Sequence, residues 1–129
     1  MIEKGIRGEM TEIVTEELTA DHVGSGLLPV FATPALIALA EQTAWQSISD
    51  ELDEGQGTVG SHLDIAHLAP TPIGCEVRCE TELIEVEGRR LVFTVAVYDD
   101  RGKVAEGTHE RFIIDNNRFM EKAAAGRTQ

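Results

Sequence analysis

The chain has 129 residues and a net charge of −12, from 23 acidic against 11 basic side chains. It is long enough for one domain with a real core, and its field repels nucleic acid and anionic membranes. Hydrophobic residues at 42% with four prolines exclude a disordered chain, so a single domain over residues 1–129 is expected, frayed from about residue 120 (EKAAAGRTQ). The opening MIEKGIRGEM has no apolar run of the secretory kind, and a cytoplasmic location is the expectation.

In chain order, EMTEIVTEEL (Glu9–Leu18) alternates weakly and predicts a first strand. Gly24, Ser25, Gly26 and Pro29 then break regular structure. Thr33 offers an N-cap hydroxyl and Pro34 a favoured first helical residue, so a helix is expected from there to about Asp50, roughly 25 Å long at 1.5 Å per residue. Val30–Ser49 is long enough to imitate a membrane span, but Glu41, Gln42, Thr43, Gln46 and Ser47 make it a soluble core helix instead.

From Gly57 the period becomes two, and four strands are predicted: Gly57–Leu68, Cys75–Val86, Arg89–Asp99 and Lys103–Asp115. The joints EGR and DDRG are short and polar, as an antiparallel meander requires. Leu91, Phe93, Val95 and Val97 share one face of their strand, and Val92, Thr94, Ala96 and Tyr98 the other, which marks a central strand. Cys75 and Cys79 on one strand would sit about 13 Å apart, too far for a disulfide. One long apolar helix beside a curled antiparallel sheet, in the order strand, helix, four strands, is an α+β pattern, that of a hot-dog fold. The edge strands of such a sheet make a homodimer the expected assembly, and pairing of dimers into tetramers is left open.

Glu41 is the anomaly of the helix. An ionised carboxylate removed from water costs several kcal/mol unless paired, and the positions three and four residues away are Ile37, Ala38, Ala44 and Trp45. Thr33 stands where a helix N-terminus offers unpaired N–H groups to an oxyanion, besides its capping role. His67 shares a strand face with Ser61, Leu63 and Ile65, whereas His62 falls on the opposite parity with Asp64. His67 taken alone reads as a core histidine, and His22 and His109 read as structural.

The blocks VFATPALIALAEQTA, HLAPTPIG and GTHERFII resemble the thioesterase family of hot-dog proteins that includes fluoroacetyl-CoA thioesterase, over roughly Val30 to Ile114. The resemblance implies an acyl-CoA thioesterase without a metal or a cofactor beyond the coenzyme A of its substrate. It implies Thr33, Glu41 and His67 as the catalytic group: His67 as base, Glu41 orienting it or activating water, Thr33 as nucleophile or carbonyl-positioning group. Arg111, in the GTHER block, is the favoured cation for the CoA moiety, with Arg89, Arg90, Arg118 and Lys122 as further candidates. Gly60, with Gly107, would allow a ligand close approach, and Pro34 beside Thr33 is grouped with the substrate-binding residues. Two departures argue against fluoroacetate specificity: a shorter loop before VFATP, and Pro34 where that enzyme has glycine. The bulk of Leu36, Ile37 and Trp45 suggests a small or medium acyl chain.

Thr33 and Glu41 are eight residues apart, about 12 Å along a regular helix. Either the chain bends at Thr33, or His67 and a water bridge the pair, or two subunits share the site. A hydratase or dehydratase using Asp21 and His22, or a noncatalytic binder of acyl-CoA or another small hydrophobic ligand, are the alternatives.

Overall fold

The computed structural model describes residues 2–126. Five strands, β1 (Arg7–Ile13), β2 (Gln56–His67), β3 (Glu76–Glu87), β4 (Arg90–Asp99) and β5 (Gly102–Asp115), form one antiparallel sheet in the order β1-β3-β4-β5-β2. A four-residue helix α1 (Ala20–Val23) precedes the long helix α2 (Thr33–Ile48), and α3 (Asn116–Ala125) follows the sheet.

Helix α2 is rich in Ala, Leu and Gln, which lose little freedom in a helix. It buries Leu36, Leu39, Ala40, Thr43, Ala44 and Ile48, the i, i+3, i+4, i+7 stripe of an amphipathic helix lying on a sheet. Its first half packs with Val14, Phe31, Val77, Val95, Val97 and Val104, its second half with Leu83, Leu91 and Phe93. Each large side chain so enclosed stabilises the fold by about 1.5–3 kcal/mol. The helix therefore runs lengthwise over the sheet, its start near the end of β2 and its end near the beginning. On β4, Leu91, Phe93, Val95 and Val97 are all buried, while on the opposite face Val92 is buried, Ala96 and Tyr98 are half-buried and Thr94 is exposed, as expected of a central strand with one face on the helix and the other partly covered. Cys79 is enclosed in this core, which pushes its thiol up to about 11, and both cysteines are free.

Two expectations are corrected. The first strand ends at Ile13 rather than Leu18. Beyond it Glu16–Leu18 makes a 3-10 turn, held by the Thr19 hydroxyl donating to the Glu16 carbonyl at 2.7 Å, and Thr19 also reaches Asp21. At α2 the N-cap is Ala32, with extended backbone, and Thr33 is the first helical residue. Its hydroxyl caps no backbone group because it is engaged elsewhere, and Pro34 takes the second position, where a missing N–H costs nothing. Helix α3 runs to Ala125, and the Asp115 carboxylate caps it by accepting the Arg118 backbone N–H at 3.0 Å. The last residues, 127–129, lie outside the described part.

A β-bulge in β2 decides which of its side chains face the helix. The pairing with β5 slips between Gly60 and His62, leaving Ser61 unpaired. Thr58 and Gly60 thus face the helix with even parity, and Ile65 and His67 face it with odd parity. A regular strand would have put Gly60 and His67 on opposite faces.

Candidate active site

Two polar clusters lie under the sheet, one at each end of β2. At the first, Thr33 Oγ1 and His67 Nδ1 are 2.8 Å apart, joining the first turn of α2 to the last residue of β2. The pair opens on a cleft of about 290 Å³ lined by Val30, Phe31, Leu68 and Pro70 among others. His67 is half-buried, and loss of water lowers its pKa below that of a free imidazole, leaving it neutral and able to accept a proton. As at any helix start, the first-turn N–H groups of α2 find no carbonyl within the helix. Pro34 sits exposed beside the hydroxyl.

The second cluster holds Glu41. Its carboxylate lies 3.3 Å from Arg111 Nη1, half-covered on the Glu41 side and with only 7% of the Arg111 side chain exposed. Arg111 also donates from Nε to Thr58 Oγ1 at 2.9 Å and from Nη2 to the Thr58 carbonyl at 3.0 Å. Its Nη1 lies 3.1 Å from Nε2 of His109. A guanidinium has no acceptor, so His109 Nε2 accepts and Nδ1 carries the proton, which it donates to the His62 carbonyl at 2.9 Å. His109 is fully buried, stacked on Phe93, with its pKa lowered by burial. Gly60 closes the cluster: a Cβ there would lie 2.3 Å from Glu41 Oε2.

The chain thus unites Thr33 with His67, and Glu41 with Arg111 and Gly60, but keeps the two groups apart. From Gly60 to His67, six paired steps because Ser61 is the extra residue, is about 20 Å at about 3.3 Å per residue, more than a glutamate and an imidazole can span. Of the three ways left open by the spacing, a bend at Thr33 is ruled out, since Thr33 is already helical. Arg111, the favoured cation for the CoA moiety, is bonded to Glu41, Thr58 and His109, and it also lines a cleft of about 330 Å³ with Trp45, Leu52 and Gln56. Arg90 points to the outer face, bonded to Glu85 and, at 2.9 Å, to Glu110. Arg89 donates to the Ile113 carbonyl at 3.3 Å in a separate cleft. Asp21, a residue of the alternative hydratase reading, is engaged by Thr19 at 2.6 Å. Among the described residues no group of three or more His, Cys, Asp or Glu could hold a metal ion, and no helix is long and apolar enough to cross a membrane.

His109 is buried and bonded within the fold, in keeping with its structural reading, but its link to Arg111 was not read from the sequence. The available signal was parity: His109 and Arg111 share a face of β5 with Ala105 and Ile113, so two polar side chains two apart on a core-facing stripe should have been read as one network.

The structure superposes on a hot-dog-like protein from Thermanaerovibrio acidaminovorans with a TM-score of 0.88 and 26% identity, covering 98% of this chain and 96% of that one. The curled sheet around one long helix is therefore a hot-dog fold. A solved variant of the fluoroacetyl-CoA-specific thioesterase FlK, in complex with fluoroacetate and CoA, matches with a TM-score of 0.87 and 31% identity over 92% of this chain and 99% of that one. The fluoroacetyl-CoA thioesterase of Streptantibioticus cattleyicolor is 37% identical over 93 residues, 72% of this chain and 67% of that protein. The chain is a thioester hydrolase. Residues 14–117 match the model of the fluoroacetyl-CoA-specific thioesterase family, and the chain belongs to that family.

Proposed function

We propose that the protein hydrolyses small or medium acyl-CoA thioesters as a homodimer, each site using Thr33 and His67 of one copy and Glu41 of the other. The observation that carries this is the 2.8 Å contact of Thr33 with His67 at a helix start, a nucleophile within reach of a base. The substrate class follows from the family and from relatives that act on or bind CoA compounds. The acyl size follows from the small cleft, walled by Phe31, Leu68 and Pro70.

The geometry of β2 supports the shared site. It is an edge strand of twelve residues, and an antiparallel pairing of two such edges centred on Asp64, with Ser61 the extra residue in each copy, would set residue 67 of one copy opposite residue 60 of the other. That brings the Glu41 cluster of one copy to the Thr33–His67 pair of the other.

In the proposed reaction the Thr33 oxygen bonds to the thioester carbonyl carbon as its proton passes to His67 Nδ1. First-turn N–H groups of α2 stabilise the oxyanion. The C–S bond then breaks, and the departing CoA sulfur takes that proton. A water, held by the Glu41 carboxylate, gives its proton to His67 and attacks the acyl-threonine ester, and the proton returns to Thr33 as the acid leaves.

The test is complementation. Thr33→Ala and Glu41→Gln should each abolish most hydrolysis, assayed by thiol release from a panel of acyl-CoAs. Refolded together, they should regain about a quarter of wild-type activity, because half of the dimers then hold one intact site. Failure to regain any, with mixed dimers demonstrated, would place all three residues in one chain. A preference for long acyl chains in that panel would refute the proposed substrate size.

A further inference from the structure

Ten of the basic residues lie in the described part of the chain, and six of them, Arg7, Arg78, Arg90, Arg101, Lys103 and Arg111, are ion-paired. Among the described residues, Lys4, Arg89, Arg118 and Lys122 have no carboxylate partner. Three of these four, Arg89, Arg118 and Lys122, line one cleft of about 410 Å³ between α3 and the end of β5. All three are exposed, and in a chain of charge −12 they form a local positive patch to which an anion can be drawn. The acid lining the cleft, Asp115, is occupied as the cap of α3.

We propose that this cleft holds the 3′-phosphoadenosine end of coenzyme A. The inference rests on the acyl-CoA reading and names where that substrate's charged end binds. Arg118 and Lys122 are four apart on α3 and project from one side of it, while Arg89 is fixed opposite by a backbone pair in which Ile113 N–H donates to the Arg89 carbonyl at 2.9 Å. Ile113, Ile114 and Phe119 supply apolar wall, with Phe119 40% exposed, a surface on which a purine can lie. The cleft has the size of a ligand pocket. It also continues the line of β5 from the Glu41–Arg111 cluster: Asp115 is about 13 Å beyond Arg111 at 3.3 Å per residue. A thioester carbonyl near that cluster would therefore send its pantetheine arm along β5 toward the three cations.

The probe is adenosine 3′,5′-bisphosphate, titrated by calorimetry into the full chain and into the Arg118→Glu/Lys122→Glu variant. Affinity should fall at least about tenfold in the variant, since two charge-assisted contacts are reversed. In parallel, the ratio of kcat/KM for acetyl-CoA to that for acetyl-pantetheine, which lacks the nucleotide, should fall by a similar factor. Equal bisphosphate affinity in a variant with wild-type circular dichroism and melting temperature would overturn the proposal, as would an unchanged ratio. The two readings fail separately. A wild type that hydrolyses no thioester but binds the bisphosphate through Arg118 and Lys122 keeps the cleft and loses the hydrolase mechanism, whereas turnover with an unchanged ratio does the reverse.

Discussion

The Glu41 carboxylate fills the room that Gly60 leaves by lacking a side chain: a methyl group there would stand 2.3 Å from it. The clashing atom is the far end of a flexible side chain, so the carboxylate should move and the backbone stay. Gly60→Ala is expected to lower kcat at least about tenfold, as for a displaced acid or base, with a smaller drop in melting temperature because the added Cβ also crowds His109 at 3.2 Å and Arg111 at 3.3 Å. Steady-state kinetics beside a thermal melt decide it, and an unaltered kcat would remove the Glu41 position from the mechanism.

Arg111 ties β5, β2 and α2 together through Thr58 and Glu41. Arg111→Ala leaves a half-covered carboxylate and a buried histidine acceptor without their donor. The expected loss is about 2–4 kcal/mol, below the full cost for a buried pair because Glu41 retains some water. Arg111→Lys should recover only part of it, since an ammonium cannot reproduce the fork of contacts. Urea denaturation measures both.

Acid should weaken the fold through His109. Its folded pKa lies below the ordinary 6.5, chiefly from burial, with Arg111 pushing the same way and the His62 carbonyl, Glu41 and Glu110 opposing. As pH falls below about 6.5 the unfolded chain therefore takes up a proton that the folded chain refuses, so the neutral-pH stability is retained above that value and lost below it. His109→Gln should flatten the decline between pH 7 and 5 in denaturation midpoints. A decline of the same slope in the variant would assign it to other groups.

For Thr33, serine and alanine should part company. Thr33→Ser keeps the hydroxyl and should hold activity within about tenfold, whereas Thr33→Ala should lose at least about 100-fold. The depressed His67 pKa places the acid limb of kcat/KM below 6.5, because the neutral imidazole survives to lower pH. An acid limb above that value would show that another group is titrating.

The meander and the long helix were legible because their signals are local: period-two runs, short polar joints and an apolar stripe. Glu41 was legible as an anomaly, since a carboxylate among Ile37, Ala44 and Trp45 contradicts its surroundings. The end of β1 was not, because the same weak alternation runs on past Ile13 and only the side-chain bonds of Thr19 stop it. The role of Arg111 was hidden too. An arginine two residues beyond a histidine reads equally well as a surface cation, and its partners on β2 and α2 are more than fifty residues away in sequence. Alternation could not foretell that Gly60 and His67 look inward together.

That agreement hangs on a single supernumerary residue. Ser61 works as a phase shifter, joining an even-numbered reading of the strand to an odd-numbered one. Removing it would alter no named functional side chain, yet it would turn one half of β2 inside out and leave either Gly60 or His67 staring away from the helix. For this enzyme, therefore, a change in strand length should be far more harmful than most changes of side chain, and the spacing between residues 60 and 67 is as much a part of the proposed chemistry as the groups it carries.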